Sequence, residues 1–308
     1  MTALVIGSRG SALALWQAEW TRGRLESLGA TCRIDIIKTT GDKITDVPLA
    51  KVGTKGLFTK EIEEALIEGR VDVAVHSLKD LPTALPAGLG LAAIPEREDA
   101  RDALVGRRLA DLETGARVGT SSLRRVAQLR AARPDLAIEP IRGNLDTRLR
   151  KLDEGRYDAI VLACAGLKRL GWQDRIADIL TPEVMCPAVG QGALAVETRT
   201  DGGEAERICR KLDHADTRAA VTAERAVLAA LGGGCQVPVG AHARVELDRL
   251  RLLAVVVAPD GSLVVRRQAE GAPSAAESLG RDLGRQLLDA GARAILEAVY
   301  GGPVEGRT

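Results

Sequence analysis

Aromatic side chains are nearly missing: Phe58, Tyr157, Tyr300, Trp16, Trp20 and Trp172 are all that 308 residues contain. A stacking platform for single-stranded nucleic acid needs more rings than that, and the core has to be aliphatic. No charge of either sign dominates. The formal net charge of +1 gives no long-range attraction to polyanions, so no nucleic-acid partner is expected. Histidine is scarce too, and His76, His214 and His242 fall at no metal-ligand spacing, so no metal is expected. The five cysteines, Cys32, Cys164, Cys186, Cys209 and Cys235, are odd in number, scattered and never in a C-x-x-C pair, a pattern that indicates neither a disulfide framework nor a zinc site. No apolar run approaches the length of a membrane span, and the first residues lack a basic segment, apolar run and cleavage site. The expectation is a reduced, cytoplasmic compartment with no membrane partner.

What is present is ordinary globular material, 45% hydrophobic and 28% charged, in a chain long enough for two or three domains. Arginine outnumbers lysine by 34 to 9, and arginine is the side chain that grips carboxylates and phosphates bidentately. Only its placement separates function from background.

Residues 3–7, Ala-Leu-Val-Ile-Gly, read as a short buried strand. Ser11 then caps a helix whose apolar stripe is Leu13, Trp16 and Trp20. A strand over 32–38, an aperiodic polar stretch over 39–56, a helix restarting at Phe58 and a strand over 71–75 follow. That last strand feeds His76-Ser77-Leu78-Lys79-Asp80-Leu81-Pro82. Strand, loop, helix, strand is the grammar of a doubly wound sheet. The grammar returns after about residue 100: strand 117–119, Thr120-Ser121-Ser122, a helix with Arg124 and Arg125, strand 137–141, Arg142-Gly143-Asn144, a helix near 145–153 and strand 158–162. Residues 187–197 read as a turn feeding a strand that returns to the first sheet. A long helix from 215, strands near 239–247, 250–258 and 263–268, and a helix near 274–290 make a third, α+β unit. The expected domains are 1–97 with 190–213, then 98–189, then 214–308.

Open α/β sheets bind ligands at the carboxyl ends of their strands. Four such ends carry anion-binding groups here: Arg9 with Ser11, Ser77 with Lys79, Thr120 to Ser122 with Arg124 and Arg125 at a helix N-terminus, and Arg142 followed by Arg148. Together they predict a cleft for a polyanionic ligand. Asp80 is the one residue of opposite sign among them, a negative charge suited to stabilising a developing cation. Gly232-Gly-Gly-Cys235-Gln-Val-Pro-Val-Gly240 presents a single thiol on a backbone that needs unusual dihedrals, although a flexible turn with an ordinary small apolar Cys reads the same stretch. Gly88-x-Gly90-x-x-Ala93 and Gly190-x-Gly192-x-x-Ala195 fit a loose dinucleotide pattern, but neither follows a strand and opens a helix.

These residues carry a resemblance to the porphobilinogen deaminase family. The matching segments are Ser8-Arg9-Gly10-Ser11-Ala-Leu-Ala-Leu-Trp16-Gln17, Lys51-Val-Gly-Thr-Lys55-Gly-Leu-Phe58, His76-Ser-Leu-Lys79-Asp80-Leu-Pro82, Val118-Gly-Thr-Ser-Ser-Leu-Arg124-Arg125, Arg142-Gly-Asn144, Ala188-Val-Gly-Gln-Gly192 and Gly233-Gly-Cys235-Gln-Val-Pro238. They span nearly the whole chain in order, and the departures, at Ala12 and Thr54, touch no chemistry. The resemblance implies two doubly wound α/β domains like type II periplasmic binding proteins, a smaller α+β C-terminal domain, and a dipyrromethane cofactor attached through Cys235. It implies an enzyme that condenses four porphobilinogen molecules head to tail, releases ammonia each time, and hydrolyses off the linear tetrapyrrole hydroxymethylbilane.

Residue by residue, the resemblance implies that Asp80 is catalytic. It places Lys79, Asp80, Thr120, Ser121, Ser122, Arg124, Arg125, Arg148 and Gly192, with Cys235, around the cofactor. It places Arg9, Ser11, Lys55, Phe58, Ser77, Arg142, Arg148, Arg175 and Gln191 around substrate. A monomer is expected. Residues 39–56, hinged at Gly41, Gly53 and Gly56 and carrying Lys51 and Lys55, are expected to close over bound carboxylates as a lid. Two other classes stand beside this reading. A non-enzymatic two-lobed anion-binding module would be marked by a signal peptide or a helix-turn-helix segment, and neither is read. A thiol enzyme using Cys235 directly lacks a histidine to activate it, since His242 lies beyond Pro238.

Overall fold

A computed structural model describes residues 3–43, 58–234 and 237–304. Lys51, Lys55 and the expected lid from residue 44 onward, and Cys235 itself, lie outside the described residues. The strands are β1 (Ala3–Ser8), β2 (Thr31–Ile36), β3 (Val73–Ser77), β4 (Leu89–Ala93), β5 (Asp102–Gly106), β6 (Arg117–Gly119), β7 (Ala137–Glu139), β8 (Ala159–Ala163), β9 (Ile176–Leu180), β10 (Leu194–Arg199), β11 (Val239–Glu246), β12 (Arg249–Val257) and β13 (Val264–Gly271). The chain divides into two compact units, Met1–Glu98 with Ala193–Arg218 and Asp99–Gly192 with Ala219–Thr308.

In the first unit the sheet order is β2-β1-β3-β10-β4, with β1 parallel to β2 and β3 and β10 antiparallel to β3 and β4. The return of the chain through β10 is as the 187–197 run predicts. β3 is buried along Val73–His76, the near-continuous apolar pattern of a strand covered on both faces. Helix Ala12–Ser27 forms with Ser11 as its cap, but its buried residues are Gln17, Ala18, Thr21 and Leu25. Leu13, Trp16 and Trp20 are only half-buried, which corrects the expected stripe. Small Ala18 and Thr21 let the helix sit close on the sheet, where bulky indoles do not fit. A short helix, Thr40–Lys43, stands at the start of the stretch expected to be aperiodic, and its Thr40 N–H donates to Glu61 Oε1 at 2.7 Å.

The second unit holds two sheets. One has the order β7-β6-β8-β5-β9, with β6 parallel to β7 and β8 and β5 antiparallel to β8 and β9. Its layout repeats that of the first sheet: a central strand, its two parallel neighbours, then an antiparallel strand in fourth place. β4, β5 and β9 are additions to the strands expected from the sequence. The other sheet is the antiparallel β11-β12-β13, and its core joins Val227 of helix Ala215–Ala230 and Leu231, the residue after that helix, with Leu283 and Leu287 of helix Ala276–Leu287. The last helical stretch extends past the expected end at 290, through a wide turn at Leu288–Ala292 where Gly291 has φ 106°, into Arg293–Tyr300. The architecture is mixed α/β throughout, with a doubly wound sheet in each unit and a smaller α+β layer.

Candidate functional site

In the first unit, β1 and β3 lie side by side where the strand order reverses, so their carboxyl ends form the switch-point crevice of an open sheet. Ser11 is held there by accepting the Ala14 N–H at 3.3 Å. The Arg9 guanidinium lies 4.2 Å over the Phe58 ring, a cation–π contact that joins two of the expected substrate residues. Gln17 is buried because its Nε2 donates to Ser77 Oγ at 2.8 Å, fixing the end of β3. Leu78 N–H donates to Ala193 O at 3.0 Å, and the chain makes one tight turn, Leu78–Asp80. Lys79 emerges from it half-buried and Asp80 exposed. Asp80 makes no hydrogen bond or ion pair among the described residues.

In the second unit, Thr120, Ser121 and Ser122 lead into helix Leu123–Ala132. Ser122 N–H donates to Thr120 Oγ1 at 3.2 Å and Ser121 Oγ donates to Ile141 O at 2.8 Å, so two hydroxyls shape the loop while the Ser122 side chain makes no cap bond. Arg142 and Arg148 are half-buried, and Arg148 Nε donates to Gly143 O at 2.8 Å. Arg175 is exposed and pairs with Asp153 at 2.5 Å.

Arg124 and Arg125 point inward. They are 4% and 6% exposed, and both grip the fully buried Asp102: Arg124 Nη1 donates to Oδ2 at 2.7 Å, and Arg125 Nη2 and Nε donate to Oδ1 at 2.6 and 3.0 Å. Gln191 Nε2 adds a fourth N–H donor to Asp102 at 3.0 Å and another bond to Ala100 O at 2.6 Å. Burial alone would raise the Asp102 carboxyl, but the Arg124 and Arg125 guanidiniums outweigh it and hold it well below the usual carboxylate range. Two cations on one anion leave one positive charge in excess. The remaining donors of Arg124 and Arg125 include bonds to Cys186 O at 2.7 Å and Val161 O at 2.9 Å. Gly192, at φ 87°, accepts from Arg169 Nη2 at 2.7 Å.

The glycines before Cys235 adopt φ of 90°, 68° and 96° at Gly232, Gly233 and Gly234, the left-handed region that any side chain would strain. Tyr300 Oη anchors the turn, 2.9 Å from Gly233 O and 3.1 Å from Leu231 O. Gly234 is exposed, whereas Val237 and Pro238 are buried. Later in the chain, β11 is tied to the segment between β9 and β10, where Ala241 N–H donates to Pro187 O at 3.0 Å. Fully buried Glu224 accepts from Gly190 N–H and Ala243 N–H, both at 2.7 Å. Gly240 lies so close to Cys186 that an added Cβ would meet its carbonyl oxygen at 2.7 Å. Gly240→Ala is therefore expected to cost about 1–3 kcal/mol by overpacking, read as a lower urea midpoint at unchanged slope.

Asp102, Gln17, Gln128 and Glu224 are absent from the sequence-based site. Asp102 carried a usable signal, a carboxylate opening the apolar run Ala103-Leu-Val105. Gln128, which receives Cys186 N–H at 2.7 Å and donates to Cys186 O at 3.1 Å, carried none.

Residues 4–207 match the family model for porphobilinogen deaminase, dipyromethane cofactor binding domain, and residues 218–289 that for the porphobilinogen deaminase C-terminal domain. A relative named porphobilinogen deaminase from Syntrophobacter fumaroxidans is 52% identical over 96% of this chain and 97% of its own. One of the same name from Chromobacterium violaceum is 51% identical over 98% of this chain and 100% of its own. The chain belongs to the porphobilinogen deaminase family.

The dipyrromethane cofactor of porphobilinogen deaminases fits the residues present. It needs one available thiol and several cationic or hydroxyl donors for its carboxylates. Burial pushes the thiols of Cys164, Cys186 and Cys209 up to about 12, and that of half-buried Cys32 is also raised, first by burial and then by Glu26. None of these four is poised as a thiolate. Cys235 follows an exposed glycine on a turn that no ordinary side chain would tolerate. Among the described residues, no cluster of His, Cys, Asp or Glu could hold a metal, and no helix is long and apolar enough to cross a membrane.

Proposed function

We propose that the chain condenses porphobilinogen head to tail on a dipyrromethane held by Cys235, releasing ammonia at each addition and finally freeing hydroxymethylbilane. Asp80 carries this reading: an exposed carboxylate without a partner among the described residues, at the reversal point between β1 and β3 and next to half-buried Lys79. Loss of ammonia from an aminomethyl pyrrole leaves an electron-deficient carbon, and a fixed negative charge stabilises that cation as it forms. Asp80 also accepts pyrrole N–H groups, which orients the ring. The cofactor, when bound, supplies the growing end of the pyrrole chain. Lys79, Ser122, Arg148 and the excess charge of the Arg124–Asp102–Arg125 cluster hold its carboxylates, with Thr120, Ser121 and Gly192 shaping the backbone around it. Arg9, Ser11, Phe58, Ser77, Arg142, Arg175 and Gln191, together with Lys55, serve the incoming pyrrole, by direct contact or, for Ser77 and Gln191, by holding the loops.

The same proposal takes the protein as a cytoplasmic monomer with no nucleic-acid or membrane partner, and a near-neutral net charge supports it. It divides the chain at 1–97 with 190–213, 98–189 and 214–308, supported by the three separate sheets. The test of the attachment is intact mass under denaturing conditions. A thioether survives unfolding, so active protein is expected to carry a two-pyrrole adduct that peptide mapping assigns to Cys235. An unmodified mass from active protein, or an adduct on Cys32, Cys164, Cys186 or Cys209, overturns it.

A further inference from the structure

Beneath the segment that carries Asp80, three ionisable side chains are buried together with no part in the chemistry above. His76, on β3, places Nε2 3.1 Å from Oε2 of Glu197, on β10, and the two side chains are 4% and 0% exposed. Glu63, from helix Lys60–Ile67, is buried beside them and interacts with both. Glu63 Oε1 and Glu197 Oε1 are each buried without a hydrogen-bond partner among the described residues. Buried polar atoms are rarely left unmatched, and two ionised carboxyls offer only acceptors. One added proton turns an acceptor into a donor.

We infer that Glu63, Glu197 and His76 form a proton-holding tie that positions the Ser77–Asp80 segment, with Glu63 kept as the neutral acid and a single proton serving the two carboxyls. His76 precedes Ser77 directly, and β10 pairs with β3 from Val73 to Ser77, so the tie braces the carboxyl end of the strand from which Lys79 and Asp80 leave. Burial raises the Glu63 carboxyl, and Glu197 raises it further against the opposing influence of the Thr59 hydroxyl and His76. Among the described residues no other charge meets it. Helix Lys60–Ile67 also packs on β1 and β4, which carry no ionisable side chain. Arg199, the other charged residue of β10, is turned to Leu66 O, Val71 O and Asp72. On the helix itself, Lys60 pairs with Glu64 and Glu61 takes the Thr40 N–H. Ionising Glu63 would set a second buried negative charge beside Glu197 and loosen the strand end.

The role is one of positioning, and it rests on the reading of Asp80 given above only for its effect on turnover. Because the folded protein holds the Glu63 proton more tightly than the unfolded chain, the tie stabilises fully below the ordinary glutamate range and its contribution is lost as pH rises through the raised value. Glu63→Gln replaces the neutral acid with a neutral donor of the same shape. It is expected to keep turnover near pH 7 within about twofold of wild type. It should also flatten the fall of folding stability with rising pH, by about tenfold in the unfolding constant for each pH unit that the wild-type Glu63 stays protonated beyond its ordinary range. The alkaline limb of kcat should move to higher pH in the variant. An unchanged stability–pH curve, or a turnover lost at pH 7 in a folded variant, overturns the inference. If the variant does not fold, carboxyl-carbon NMR of the glutamate-labelled wild type decides. One glutamate must remain in its acid form after the surface glutamates have ionised, and a spectrum with none overturns the tie. Stability and NMR do not depend on turnover, so they stand or fall apart from the assignment of Asp80.

Discussion

Asp80→Asn is expected to cut turnover by about a hundred- to a thousand-fold while the pyrrole adduct stays on Cys235 and the fold is undisturbed. The substitution keeps size and removes one charge. Most active-site carboxylates cannot be tested so cleanly, because they are tied into the structure and their loss unfolds something. Asp80 is exposed, ends a three-residue turn and has no partner among the described residues, so its removal should shift stability by no more than about 0.5 kcal/mol. A drop in kcat at unchanged melting temperature assigns the loss to electrostatics at the reacting carbon. Near wild-type turnover would exclude Asp80 from the reaction, and a lowered melting temperature would show that it does structural work instead.

Much of the sheet layout was readable in advance, because a strand covered on both faces writes itself as an apolar run. β1, β3 and β8 are of that kind, and the hydroxyl and basic groups that follow β1, β3 and β6 stand at their carboxyl ends. What escaped is what a local pattern does not encode. β4, hidden in Leu89-Gly-Leu-Ala-Ala93, carries Gly90 and follows a turn glycine, so its pattern does not mark a strand. The helix after Ser11 shows a stripe of Leu13, Trp16 and Trp20, yet the face that packs is defined by the small Ala18 and Thr21 and by a glutamine employed on Ser77, 60 residues away. Arg124 and Arg125 are visible in the sequence as two charges at a helix start. The carboxylate that neutralises them lies 22 and 23 residues earlier, on a strand that enters the sheet in antiparallel sense. Charge is local in sequence, but its compensation is a property of the fold.

That compensation sets the other large effect. Asp102→Asn is expected to destabilise the protein by about 3–5 kcal/mol, because it leaves two buried guanidiniums facing each other without their anion. Burial already draws the Arg125 guanidinium down from its ordinary value, with Arg124 adding to that and only Asp102 opposing it among the larger influences. Removing the anion makes the desolvation of both cations uncompensated. Gln191 loses the charged acceptor of its Nε2–H, and the turn at Gly190–Gly192 loosens with it. The variant should therefore unfold at lower urea and accumulate as protein without the adduct mass, since the loop at Thr120–Ser122 is built on the same helix start. A pH titration separates this carboxylate from the others. Its folded value lies below the unfolded one, so its contribution is complete above the ordinary aspartate range and is lost as pH falls through the lowered value. The gap between wild type and Asp102→Asn should accordingly be widest near neutrality and narrow in acid. A loss under about 1 kcal/mol at pH 7 would mean that the two arginines find another partner, as they would if bound carboxylates rather than Asp102 supplied their counter-charge.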